Sequence, residues 1–144
     1  MAAEENKAVV RRYVEEGFNP ADMDVLDEVF APDFVNHDTG NPAIQDLEGL
    51  KAAVRMFHLA FPDIRATTDA LFTDGDYVTK RFTLSGTQQG EFNGIPPTGK
   101  QFTVQGIDIS RVSGGKIHEI WMGIDYLTVL QQLGAIPQPE PASA

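Results

Sequence analysis

The chain has 144 residues, of which 42% are hydrophobic and 22% charged, and it contains no cysteine. That composition belongs to a soluble domain with a buried core and excludes disulfide frameworks, thiolate metal sites and cysteine nucleophiles. Eleven Lys and Arg face 21 Asp and Glu, a formal charge of −10, which repels phosphate backbones and anionic membranes, so neither nucleic acid nor a membrane is expected as a partner.

The opening residues MAAEENKAVVRRYVEE lack the apolar run of a secretion signal, which predicts a cytoplasmic protein. Val9, Val10, Tyr13 and Val14 recur at helical spacing over residues 4–17, with Gly17 as the stop. Asn19-Pro20 reads as an N-cap with proline at the first helical position. The helix that follows has Met23, Leu26, Val29 and Phe30 as its apolar face and Pro32 as its end. A third helix is predicted from Asp46 to Phe61, on the stripe Leu50, Val54, Phe57 and Phe61, closed by Pro62.

The period then changes. Residues 64–72, 77–87, 101–112 and 117–124 are rich in Thr, Val, Ile and Phe and are separated by turn signals, which predicts strands. Asp74-Gly75-Asp76 and Ser113-Gly114-Gly115-Lys116 are short enough for hairpins. The stretch from Gln89 to Lys100 is too long for a tight turn, and loops of that length are often functional. Asp125 opens a last short helix with Leu127, Leu130 and Leu133 on one side and Gly134 after it. Three helices, an antiparallel meander and one more helix define an α+β domain over residues 1–136, in which a curved antiparallel sheet, covered by the N-terminal helices, leaves a concave pocket. The proline-rich residues 137–144 are expected to be a disordered tail.

Several segments resemble the SnoaL-like polyketide cyclases of the nuclear-transport-factor-like superfamily. They are Val29-Phe30-Ala31-Pro32-Asp33-Phe34-Val35-Asn36-His37-Asp38, Leu47-Glu48-Gly49-Leu50-Lys51, Ala60-Phe61-Pro62-Asp63, Gly90 to Lys100, and Gly106-Ile107-Asp108-Ile109-Ser110-Arg111 with Trp121-Met122-Gly123-Ile124-Asp125. The resemblance implies a cone-like fold that forms dimers or tetramers, with one cavity per subunit. It also implies aldol cyclisation of a polyketide ester without cofactor or metal, an aspartate moving the proton. The matching aspartate is Asp125. This chain carries Ile120 and Asp108 where many members carry histidine. A cofactor-free hydroxylase, a hydrolase and a silent binder of a hydrophobic ligand are the other functions such a scaffold allows.

Catalytic candidates are therefore Asp125, Asp108 and His37. Asp125 is either a helix N-cap or, against a dry cavity, a carboxylate raised towards the range of a useful base. Asp108 lies between Ile107 and Ile109 in a strand, a place that disfavours aspartate unless it lines a pocket or meets solvent. A two-residue turn at Gly114-Gly115 puts Asp108 opposite Trp121 and on one face with Asp125, leaving Ile107, Ile109, Ile120, Met122 and Ile124 on the other. A turn one residue longer, with a bulge, brings Gln105 and Arg111 to Asp125 instead. The first register separates apolar from polar residues better and is preferred. His37 either donates to a substrate carbonyl or is structural, and only one of Asn36 and His37 can face the cavity. Asn36, Trp121, Phe57, Phe92 and Gln105 complete the expected substrate contacts. Trp121 serves as a flat wall, and Phe92 belongs to an apolar loop tip that suits a rim, a lid or an oligomer contact. The expected ligand is a small hydrophobic carbonyl compound. No cofactor fingerprint and no metal-ligand spacing occurs.

Overall fold

A computed structural model describes residues 2–38 and 40–137, so the expected tail lies almost wholly outside the described residues. Chain order is α1 (Ala2–Arg12), a π-helical turn (Tyr13–Phe18), α2 (Met23–Val29), β1 (Phe30–Asn36), α3 (Leu47–Ala60), β2 (Arg65–Asp74), β3 (Tyr77–Thr87), β4 (Gln101–Ser113), β5 (Lys116–Ile124) and α4 (Tyr126–Gln132). The strands form one curved open sheet in the order β1-β5-β4-β3-β2. Its inner face packs on the helices. No helix of the described residues is long and apolar enough to cross a membrane.

The α+β class is as expected, but the sheet is mixed, because β1 runs parallel to β5 at the edge. The missed strand contains Pro32, which reads as a helix end. An edge strand tolerates proline because it has one unpaired side where the missing N–H goes unnoticed. The N-terminal region differs in two further places. The first helix does not stop at Gly17 but widens into a π turn ending at Phe18. A Cβ on Gly17 would stand 2.9 Å from Leu26 Cδ2, so this glycine serves close packing of α2. Asp22, not Asn19, caps α2 by accepting from the N–H groups of Asp24 and Val25. The side chain of Asn19 instead clamps β2, with Ala66 N–H donating to Oδ1 at 2.8 Å and Nδ2 donating to the Ala66 carbonyl at 3.0 Å.

The hairpin of β4 and β5 decides which residues face inward. Its turn has two residues, Gly114 and Gly115, at φ 59° and 76°, the left-handed geometry that matches strand twist and that glycine adopts without strain. Ser113 pairs with Lys116 and Val112 with Ile117, but Arg111 pairs with Glu119, so His118 is an extra residue. This bulge shifts the rest of the ladder by one. Asp108 therefore faces Met122, not Trp121, and the preferred register is corrected. The outcome is the alternative facing, reached through a bulge and not through a longer turn. Along β4, Phe102, Val104, Gly106, Asp108, Ser110 and Val112 are buried, while Gln105, Ile107 and Ile109 are exposed.

Candidate active site

The inner face of the sheet and the helices enclose a cavity of about 90 Å³, space for several water molecules. Its walls are mainly apolar, among them Val14 and Phe18 of the π turn, Phe57 of α3 and Phe92 of the long loop. A π turn displaces backbone outward and is frequent at functional sites. Phe92 is buried, with its ring centroid 5.2 Å from Phe61 and 6.0 Å from Phe57. The loop that carries it is tied down by the fully buried Gln88. The amide Nε2 of Gln88 donates to the carbonyls of Gly90, Ile95 and Pro96, and its Oε1 accepts from Thr98 Oγ1. This loop is a fixed wall of the cavity.

Into that apolar space project two opposite charges, Asp108 of β4 and Lys80 of β3. Their side chains are 1% and 5% exposed, and Lys80 Nζ lies 3.2 Å from Asp108 Oδ2. The strand ladder makes them neighbours, since Lys80 and Asp108 are a register pair. At that distance the ammonium acts on the carboxyl by charge and by N–H donation, and no other hydrogen bond reaches either Asp108 oxygen among the described residues. Burial pushes the Asp108 carboxyl above the ordinary carboxylate range, and the Lys80 ammonium opposes that rise without cancelling it. A carboxylate in such a place is moved towards the pKa useful to a general base.

Hydroxyl donors line the same cavity. Burial raises the Tyr13 phenol, with the Asp108 charge adding to the effect. Tyr126 is pushed up to about 12, mainly by burial and then by the Asp38 charge. Both stay protonated at neutral pH and can donate to a substrate oxygen. Tyr126 Oη lies 3.4 Å from Asp38 Oδ2. Asn36 also lines the cavity, and its Nδ2 donates to the Ile44 carbonyl at 2.8 Å.

Of the expected site residues, Asp108, Asn36, Phe57 and Phe92 meet in this cavity. Asp125, Trp121, Gln105 and His37 do not; the bulge at His118 turns Asp125 and Trp121 to the outer side of the sheet, where the alternation of β4 also places Gln105. Asp125 caps α4, accepting from Thr128 N–H at 3.0 Å and Thr128 Oγ1 at 2.6 Å. These bonds hold its carboxyl below the usual range, opposite to what a neutral-pH base needs. His37 stacks on Trp121, with centroids 4.8 Å apart, and its Nε2 is 2.8 Å from Glu119 Oε2. Glu119 in turn accepts from Arg111 Nε at 2.7 Å. Asp125→Asn is accordingly expected to lower the melting temperature slightly and to leave turnover within a few-fold of the parent, as thermal unfolding and initial rates will show.

Lys80, Tyr13, Asp38 and Tyr126 were not among the sequence candidates. Lys80 carried a signal: it shares strand parity with Val78 and Phe82, so the alternation points it inward. Among the described residues no group of three or more His, Asp or Glu side chains is arranged to hold a metal ion.

A curved sheet closed by helices around a mainly apolar cavity is the scaffold of a small α+β enzyme. The chain belongs to the SnoaL-like polyketide cyclases, whose family model matches residues 8–133. The aklanonic acid methyl ester cyclase DauD of Streptomyces sp. (strain C5) is 32% identical over 141 residues, covering 92% of this chain and 83% of that protein. The nogalonic acid methyl ester cyclase of Streptomyces nogalater is 29% identical over 126 residues, covering 81% of this chain and 89% of its own. Among solved structures, IdmH of Streptomyces antibioticus superposes with a TM-score of 0.80 at 34% identity, covering 90% of this chain and 98% of that one.

Proposed function

We propose that this protein closes a ring in a polyketide ester by an intramolecular aldol step, with Asp108 as the general base and acid and with neither cofactor nor metal. The observation that carries this reading is the Asp108 carboxyl, buried in an apolar cavity with Lys80 3.2 Å from one oxygen and no other hydrogen-bond partner among the described residues. A carboxylate in that setting has a free lone pair for a C–H proton, and its apolar surroundings limit the water that competes for it. Tyr13 and Tyr126 supply O–H donors to substrate oxygens. The free space is far below the roughly 300–1,000 Å³ of sites that enclose drug-sized ligands, so with the walls as they stand only the reacting end of a polyketide enters. Asp125, the residue favoured by family resemblance, is assigned to the fold of α4 and not to the proton transfer. A cytoplasmic setting belongs to the same proposal.

The test is incubation with aromatic polyketide methyl esters, followed by chromatography and mass measurement. Ring closure moves the peak at unchanged mass. A gain of one oxygen or one water would replace this reading by hydroxylation or hydrolysis.

A second copy of the chain is proposed to cover the outer side of the sheet. Phe72, Thr79, Ile109 and Trp121 form one row across four strands by register. Phe72 and Ile107 are more than half exposed, and Tyr77, Ile109 and Trp121 are partly so. A two-fold axis sets such a row against itself, which buries apolar surface on both chains at once. Ile109→Asp is expected to convert a dimer to a monomer in light scattering, and an unchanged mass would remove this face from the assembly.

A further inference from the structure

We propose that Lys80 is a second catalytic residue, the fixed cation that stabilises the oxyanion formed on the substrate when Asp108 removes the proton. This rests on the reading of Asp108 as the base. Two aromatic rings hold the ammonium in place: Nζ stands 5.0 Å from the ring centroid of Tyr13 and 5.0 Å from that of Phe82. These cation–π contacts are independent of the charge on Asp108. The Phe82 ring keeps its position because β4 has glycine beneath it; a Cβ on Gly106 would be 2.4 Å from Phe82 Cζ. Among the described residues, Asp108 is the one carboxylate within ion-pair distance of Lys80.

The consequence follows from charge conservation in a low-dielectric cavity. Before reaction the site holds one carboxylate and one ammonium. Asp108 then takes the proton from carbon next to a substrate carbonyl. The C–H electron pair becomes the carbon–carbon double bond of an enolate, and the carbonyl π pair moves onto oxygen. The negative charge has moved from Asp108 to that oxygen, and Lys80 remains beside it. The enolate carbon next attacks the second carbonyl, a carbon–carbon bond forms, and the new alkoxide takes the proton back from Asp108. Lys80 thus neutralises one negative charge throughout, as a group already in position before the reaction. The neutral substrate carbonyl gains little from this ammonium and the oxyanion gains much, so Lys80 acts on the chemical step more than on substrate binding.

Lys80→Met is expected to lower kcat on the order of 10²- to 10³-fold with little change in KM; unchanged kcat overturns the proposal. A second measurement does not depend on turnover. In Asp108→Asn the carboxylate is gone, so an ionised phenol can take its place beside Lys80. Titration of 4-nitrophenol, followed by its visible phenolate absorbance, is expected to show ionisation at a lower pH in Asp108→Asn than in Asp108→Asn/Lys80→Met, by on the order of one pH unit. Identical titrations in the two proteins overturn the role of Lys80. So does covalent trapping of substrate on Lys80 by borohydride, which would make the amine a nucleophile. Turnover retained by Asp108→Asn would instead remove the base assignment, and the phenol comparison would still decide Lys80.

Discussion

Asp108→Asn is expected to lower kcat by a factor on the order of 10³, within the roughly 10²- to 10⁴-fold contribution of a positioned general base. The amide is nearly isosteric with the carboxylate, so the cavity keeps its shape and a substrate analogue should bind with little change. It has no lone pair basic enough to take a carbon-bound proton. Burial raises the carboxyl above its ordinary value, with Lys80 opposing. The active form is the carboxylate, so activity is lost as pH falls through this raised pKa. The acidic limb of kcat/KM should therefore lie above the range of an exposed aspartate. Asp125 gives the opposite expectation, since its Thr128 bonds lower its carboxyl and keep it ionised across that limb. A profile whose acidic limb survives in Asp108→Asn, or turnover within a few-fold of the parent, would take the base role away from Asp108.

Much of this fold can be read from the residues, and the failures have local causes. The long helix α3 carries both its cap, Asp46, which accepts from Gly49 N–H, and its apolar stripe in the sequence. Strands β2 to β5 follow β-branched and aromatic runs between glycine-bearing turns. The difficulty lies in parity, because one inserted residue in a ladder exchanges the two faces for everything beyond it. His118 is that residue. Its trace is visible in hindsight: Ile117 and Ile120 are both fully buried yet stand three apart, which breaks the period of two. Reading that break would have placed Ile120, Met122 and Ile124 on one face with Asp108, and Asp125 on the other with Gln105. Lys80 escaped for a different reason. Charged residues on strands are ordinarily solvent-facing, and only its parity with Val78 and Phe82 argued otherwise. Asp125 has the position that resemblance favours, but two hydrogen bonds from Thr128 occupy its carboxylate.

Replacing the pair together, Lys80→Met with Asp108→Leu, is expected to abolish turnover and to stabilise the fold by about 1–4 kcal/mol. Both side chains are almost wholly enclosed, so folding strips two ions of water. Their mutual contact is the main return, since no hydrogen bond from any other group reaches the carboxylate oxygens among the described residues. The rise in the Asp108 carboxyl has the matching sign. A folded pKa above the unfolded value means that the protonated form is favoured on folding. The contribution of Asp108 to stability is then greatest below its unfolded pKa and declines as pH rises through the raised one. Above that pH the ionised carboxylate is a net cost to the fold, and an apolar pair of similar volume removes it. Denaturant unfolding at neutral and at acidic pH separates the contributions, for the advantage of the apolar pair should shrink as Asp108 becomes protonated. A single Asp108→Leu is the contrasting case, because it leaves the Lys80 ammonium buried without a carboxylate and should be less stable than the double variant. A double variant less stable than the parent at neutral pH would mean that the pair holds the fold together. A more stable one would mean that a costly ion pair persists in an apolar cavity because the chemistry there depends on it.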